Sequence, residues 1–241
     1  MTQPTFLLDL DDTLLSNSMA EFLPAYFNAL NQRLAPYLGG QNLRQAMSAA
    51  VQVTQANQNP TVTNLEAFMA DFTRRINVDP ATLNPILAEF YRVDFPHLRA
   101  FTSRRRHARP LVELLLAAGC TVVIATNPLF PAVAVGQRLA WAGLNNLEFA
   151  LVTSMENSHY SKPNPNYYRE ILQKVGGAPD SAWMVGDDWE RDIVPAQSLG
   201  LRTWWITDHL PAPVATPPLE TCYGLLSEFL SWVKAQPLAA I

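Results

Sequence analysis

The chain has 241 residues, of which 49% are hydrophobic and 16% charged, and a formal net charge of -4 at pH 7. This balance excludes a mainly disordered chain and a nucleic-acid protein that works through a broad basic surface. No apolar run approaches the roughly 18 residues of a membrane span, the opening MTQPTFLLDLDD has no basic leader region, and Cys120 and Cys222 cannot form a disulfide framework; a soluble cytoplasmic protein is expected.

The first element is a short apolar strand, Thr5-Phe6-Leu7-Leu8-Asp9, of the kind buried on both faces of a parallel sheet. It stops abruptly in the acids Asp9, Asp11 and Asp12. From about Ser16 to Arg99 the periodicity is helical. Ser18 with Glu21, and Thr63 with Glu66, read as capping boxes, and Asp79-Pro80 reads as an N-cap and first helical position. Four amphipathic helices are expected there, with no strand. The pattern then alternates: helix 110–119, strand 121–125, helix 131–142, strand 147–152, helix 165–175, strand 181–185, helix 190–199 and strand 202–206. The Pro-rich segment 208–220 reads as a loop and 220–234 as a last helix. Such alternation predicts an α/β fold with a Rossmann-like parallel sheet and right-handed crossovers. The core would comprise 1–15 and 100–241, and 16–99 would form an inserted all-helical cap, separately packed and joined through linkers near 14–17 and 97–103.

Ligands of a parallel α/β sheet bind outside the carboxyl ends of its strands. Those ends carry Asp9 and Asp11, then Thr126-Asn127, then Asp187-Asp188 with Asp192 following, while Lys162 lies in the loop after the third strand. Singly, each reads as a turn, a helix cap or a solvated lysine. Together they put four carboxylates, Asp9, Asp11, Asp187 and Asp192, against one lysine. Like charges at that density need a counterion, and an all-oxygen donor set with few carboxylates plus a phosphate suits Mg2+. No His/Cys spacing suits zinc.

FLLDLDDTLL, VVIATN, SKPNP and MVGDDWERD resemble, in order, the four motifs of the haloacid dehalogenase (HAD) superfamily. The position of the helical insert resembles the cap of its phosphoglycolate-phosphatase-like branch. The resemblance implies that Asp9 is a nucleophile forming an aspartyl-phosphate and Asp11 a general acid/base. It implies that Thr126 and the Asn127 amide bind phosphate and that Lys162 neutralises nucleophile and phosphate. Mg2+ would be held by Asp9, Asp187 and the Asp11 backbone carbonyl. Asp192 would position Lys162 or a metal-bound water, and Asp188 would either cap a helix or assist the metal. The implied activity is a Mg2+-dependent phosphatase acting on a small phosphorylated metabolite, as a monomer or homodimer, with no nucleic-acid or membrane partner. A phosphomutase, a haloacid dehalogenase and a catalytically silent HAD-like binding protein are the alternatives. Elsewhere, Arg104-Arg105-Arg106-His107, Arg74-Arg75, His159 and Tyr160 are expected to be solvated or packing residues, and Cys120, Trp204 and Trp205 to pack in the core.

Overall fold

The chain begins with β1 (Thr5–Leu8), buried on both faces; the computed structural model describes residues 3–207 and 221–236. A two-residue strand, β2 (Leu15–Ser16), leads into four helices: α1 (Met19–Leu34), α2 (Leu43–Ala56), α3 (Asn64–Ile76) and α4 (Pro80–Glu89). A widened turn at Phe90–Asp94 and a tight one at Phe95–Phe101 bring the chain to β3 (Ser103–Arg104), which pairs antiparallel with β2. The two ends of the helical segment are therefore zipped together. The rest alternates: α5 (Ala108–Ala117), β4 (Thr121–Ile124), α6 (Ala132–Ala142), β5 (Leu151–Val152), α7 (Pro165–Val175), β6 (Ala182–Gly186), α8 (Val194–Gln197), β7 (Arg202–Ile206), β8 (Cys222–Gly224) and α9 (Leu226–Ala235).

Six of the strands form one parallel sheet in the order β5-β4-β1-β6-β7-β8. The chain runs outward from β1 through β4 to β5, then crosses back to β6 on the other side. The strand order thus reverses at β1, and the crevice at its carboxyl end is where such sheets bind ligands. Alternate side chains feed two cores. Leu7, Val123 and Met184 pack with Tyr167, Tyr168 and Ile171 of α7. Phe6, Ile124 and Val185 pack on the other face with Leu111 of α5 and Phe229 of α9. Both faces are covered, which is why the strands read as unbroken apolar runs.

Local chemistry explains most boundaries. Thr63 and Glu66 make the reciprocal capping box of α3, and Asp79 accepts the Ala81 N–H at 2.9 Å with Pro80 in the first helical turn. The box expected at Ser18 does not form: Ser18 makes no side-chain cap, and its carbonyl accepts the Glu21 N–H instead. The expected helix 190–199 starts as a widened turn over Trp189–Ile193 before α8. Pro195 has no N–H for the Arg191 carbonyl, and the Tyr168 hydroxyl donates to that carbonyl in its place. The sheet also differs at its edges. β5 is only two residues long, and β8 occupies residues expected to open the last helix. Each edge strand has one neighbour, so pairing in space rather than local pattern defines it. The expected loop at 208–220 lies outside the described residues.

The helical segment packs against the core through aromatic contacts. Phe22 and Tyr26 of α1 contact Phe130 at 6.4 and 5.4 Å between centroids, and Phe95 stacks on Trp141 of α6 at 5.3 Å. One aromatic cluster therefore spans both parts, with Phe95 fully buried at its centre. Phe95→Ala is expected to lower the free energy of unfolding by about 3–5 kcal/mol, measured by urea denaturation. A loss under about 1 kcal/mol would mean that this junction carries little of the stability.

Candidate active site

The backbone sets the spacing of the site before any side chain acts. The Asp9 N–H donates to the Val185 carbonyl at 2.9 Å, and the Ala125 N–H to the Leu8 carbonyl at 2.8 Å. These ladder bonds bring Asp9, Thr126 and Asp187 to neighbouring strand ends. Lys162 arrives from the loop between β5 and α7, where Asn164 caps the helix by accepting the Asn166 N–H at 2.9 Å. Its Nζ donates to Asp9 Oδ1 at 2.7 Å and to Asp192 Oδ1 at 2.6 Å, with the lysine side chain 2% exposed. Asp192 is anchored a second time, by the Asp188 N–H on its Oδ2 at 3.2 Å. Asp187 is held by the Thr13 hydroxyl at 3.1 Å, and the Trp205 indole N–H donates to the Asp187 carbonyl at 2.8 Å.

The electrostatics follow from burial. Desolvation raises the Asp9 carboxyl well above the usual carboxylate range, opposed by Lys162 and reinforced by Asp192, Asp187 and Asp11. Asp192 is raised by the same loss of water, with Lys162 opposing. Asp187 is pushed up to about 7, first by burial and then by Asp192 and Asp12, against the Thr13 hydrogen bond. Burial disfavours the Lys162 charge, but Asp192 and Asp9 outweigh it and hold the ammonium well above its ordinary pKa. Three carboxyl groups thus cluster around one ammonium. Asp9, Asp187 and Asp192 each present an oxygen within 4.8 Å of the others. This all-oxygen, electron-rich set fits a hard divalent cation.

Asp11 goes elsewhere. Its carboxylate pairs with Arg138 of α6 through one oxygen and accepts the Asn17 amide at 2.8 Å through the other. Thr126 Oγ1 lies 3.5 Å from the oxygen that meets Arg138. Arg138 is 1% exposed and stacks over the Phe130 ring at 4.5 Å. Asn127 accepts the Lys162 N–H at 3.3 Å through its side chain. Asp188 accepts the Arg191 N–H at 3.0 Å and so caps the turn that follows.

Lys162 thus joins Asp9 and Asp192 directly, Asp187 lies beside them, and Asp11, Thr126, Asn127 and Asp188 line the same cavity. Sequence reading missed Arg138, Asn17, Thr13 and Trp205. A lone arginine in the otherwise apolar AVAVGQRLAWA helix was the available signal. His159 faces Glu170 at 2.7 Å, and Arg74 and Arg75 both pair with Asp71, so none of these reaches the cluster.

Gly186 makes the close packing of Asp192 possible, because a Cβ there would overlap the Asp192 carboxylate. Gly186→Ala is therefore expected to destabilise the fold by about 1–3 kcal/mol. Gly136, inside α6 with open space around it, is expected to gain about 0.4–1 kcal/mol as alanine. Urea unfolding of the two variants checks both signs.

A family model described as haloacid dehalogenase-like hydrolase matches residues 4–200. Phosphoserine phosphatase of Thermus thermophilus is 33% identical over 127 residues, 50% of each chain. Pyrophosphatase PpaX of Bacillus cereus is 25% identical over 126 residues, 52% of this chain and 56% of that one. The chain spans about half the length of these curated relatives. Among solved structures, a 2-haloacid dehalogenase from Pseudomonas syringae pv. Tomato DC3000 aligns over 97% of this chain and 99% of its own, with TM-score 0.62 and 22% identity. A HAD phosphatase from Thermococcus onnurineus aligns over 98% and 99%, with TM-score 0.57 and 18% identity. At these identities the solved structures establish the shared fold. With ordered motifs, a parallel sheet and a buried Lys-Asp cluster at its switch point, the chain belongs to the haloacid dehalogenase-like hydrolase family.

Proposed function

We propose that this protein is a Mg2+-dependent phosphatase that hydrolyses a small phosphate monoester through an aspartyl-phosphate on Asp9. The observation that carries the reading is the buried Lys162 bridge between Asp9 and Asp192, with Asp187 beside it. A dehalogenase attacks through its first aspartate without a metal and has no use for this many carboxylates around that group. Residues 1–15 and 100–241 would act as the catalytic core. Residues 16–99 would act as a cap over the cavity, excluding water during turnover.

In this reading the Asp9 carboxylate attacks phosphorus and Lys162 offsets the charge of nucleophile and phosphate. Thr126 and Asn127 orient the phosphoryl oxygens. Asp11 protonates the leaving oxygen and then takes a proton from the water that cleaves the phosphoenzyme. Arg138 and Asn17, bonded to one Asp11 oxygen each, set where that proton is delivered. Asp9, Asp187 and the Asp11 carbonyl would hold Mg2+, while Asp192 positions Lys162. When bound, the ion supplies the positive charge that lets a phosphate dianion approach a carboxylate.

Two experiments test this. A pulse of labelled substrate should leave hydroxylamine-labile label on wild type, more on Asp11→Asn and none on Asp9→Asn. Asp11→Asn should turn over about 10²–10⁴-fold more slowly. Label on Asp9→Asn at the wild-type level would put the nucleophile on another residue. The second concerns pH. The Asp187 carboxyl ionises near 3.8 in the unfolded chain and near about 7 in the metal-free fold. Between these values the unfolded state releases a proton that the fold keeps, so this group's contribution to stability declines as pH rises across the window. Metal-stripped protein should therefore lose thermal stability from about pH 4 to about pH 7 and level off above that, and Mg2+ should stabilise it more at the higher pH. Melting curves with and without chelator measure this. A Mg2+ effect independent of pH would remove Asp187 from the ligands.

A further inference from the structure

We infer that the cavity over Asp9 accepts a phosphate monoester of an uncharged, largely apolar alcohol. This inference rests on the phosphatase reading and adds the substrate class to it. The cavity measures about 540 Å³, ample for a leaving group beyond the phosphate itself. Its floor and its roof differ sharply. The floor is the charged cluster of Asp9, Lys162, Asp187 and Asp192. The roof comes from α1, α2 and α3, with Leu23, Phe27, Met47, Val51 and Phe68 facing the space. Their spacing puts apolar pairs on the cavity side of each helix: Leu23 and Phe27 are one turn apart on α1, and so are Met47 and Val51 on α2.

No formal charge comes from the roof among the described residues lining the cavity. The polar groups it offers are neutral: Ser48, Gln52 and Gln55 along α2, and the hydroxyls of Tyr26 and Tyr91. Those two hydroxyls are 3.0 Å apart and bonded to each other. Burial pushes the Tyr26 hydroxyl up to about 12, so this wall stays uncharged at neutral pH. Arg44 stacks over Phe27 at 5.3 Å but does not line the cavity. The two lining cations belong to the core: Lys162 is bonded to Asp9 and Asp192, and Arg191 has its Nε 3.7 Å from Asp188.

A leaving group with an ammonium, a carboxylate or a second phosphate would enter this roof without a counter-charge. Burying an unpaired charge is far more costly than burying an apolar group. The same surface rewards each methylene it covers. Phosphoserine and pyrophosphate, the substrates in the names of the two relatives, both carry such extra charge. Each of those relatives matches only about half of this chain.

The test is a matched series with Mg2+: ethyl phosphate, n-hexyl phosphate, O-phosphoserine and inorganic pyrophosphate. Each buried methylene is worth about fourfold, so kcat/KM for hexyl phosphate should exceed that for ethyl phosphate on the order of 100-fold. It should also exceed the values for phosphoserine and pyrophosphate. A flat chain-length series, or a preference for either charged substrate, overturns the inference and leaves the phosphatase reading standing. If none of the four is hydrolysed, the phosphatase reading fails, and binding of the non-hydrolysable ethyl- and hexylphosphonates by calorimetry decides the cavity. Tighter binding of hexylphosphonate supports the apolar roof; equal binding, or none, overturns it.

Discussion

Lys162 sits inside the protein with its ammonium shared between Asp9 and Asp192, and the rest of the site depends on that arrangement. A buried ammonium without partners would shed its proton, and two buried carboxylates without a cation would take protons up. Asp192 and Asp9 hold the Lys162 ammonium charged, and Lys162 in turn partly offsets the burial that raises both carboxyls. Asp187 adds a third carboxyl to the cluster, pushed up to about 7 by burial and by Asp192. The three carboxyls offer an all-oxygen donor set of the kind that fits a divalent cation. Gly186 has no Cβ, so Asp192 can approach the strand end. Trp205 fixes the Asp187 carbonyl from the neighbouring strand.

A second network ties the helical segment to the core. Phe22, Tyr26, Phe95, Phe130 and Trp141 form edge and stacked contacts across the boundary, while β2 and β3 close the segment's two ends. Arg138 belongs to both networks. It stacks on Phe130 within the aromatic cluster and pairs with Asp11 at the site. A guanidinium this deeply buried needs a carboxylate and a ring face to replace its water. The position of the aromatics in the helical segment is thereby linked to the position of the Asp11 carboxylate through one side chain. Pairing of this kind gives the fold a physical route by which movement of the helices would reach the Asp11 carboxylate.

Much of this was legible in the sequence, because it rests on local chemistry. Apolar runs that end in polar residues mark buried strands, and β1, β4, β6 and β7 lie where such runs occur. Thr63 with Glu66 and Asp79 with Pro80 start the helices they were expected to start. Failures occurred where an element lacks an internal rule. β8 exists because β7 offers an unpaired edge, and the widened turn at Trp189–Ile193 exists because Tyr168 is there to satisfy the Arg191 carbonyl.

The sequence by itself determined the family, the parallel sheet and the set of polar residues at its carboxyl end, since motif order and strand periodicity are properties of the chain alone. Tertiary structure decided which of those residues touch. It joined Lys162 to Asp9 and Asp192, sent Asp11 to Arg138 across 127 positions of chain, left Asp188 as a cap, and turned one face of α2 toward the cavity. These outcomes depend on register and on how helices pack over the sheet, and a buried charge accepts whichever partner that packing brings within hydrogen-bond reach.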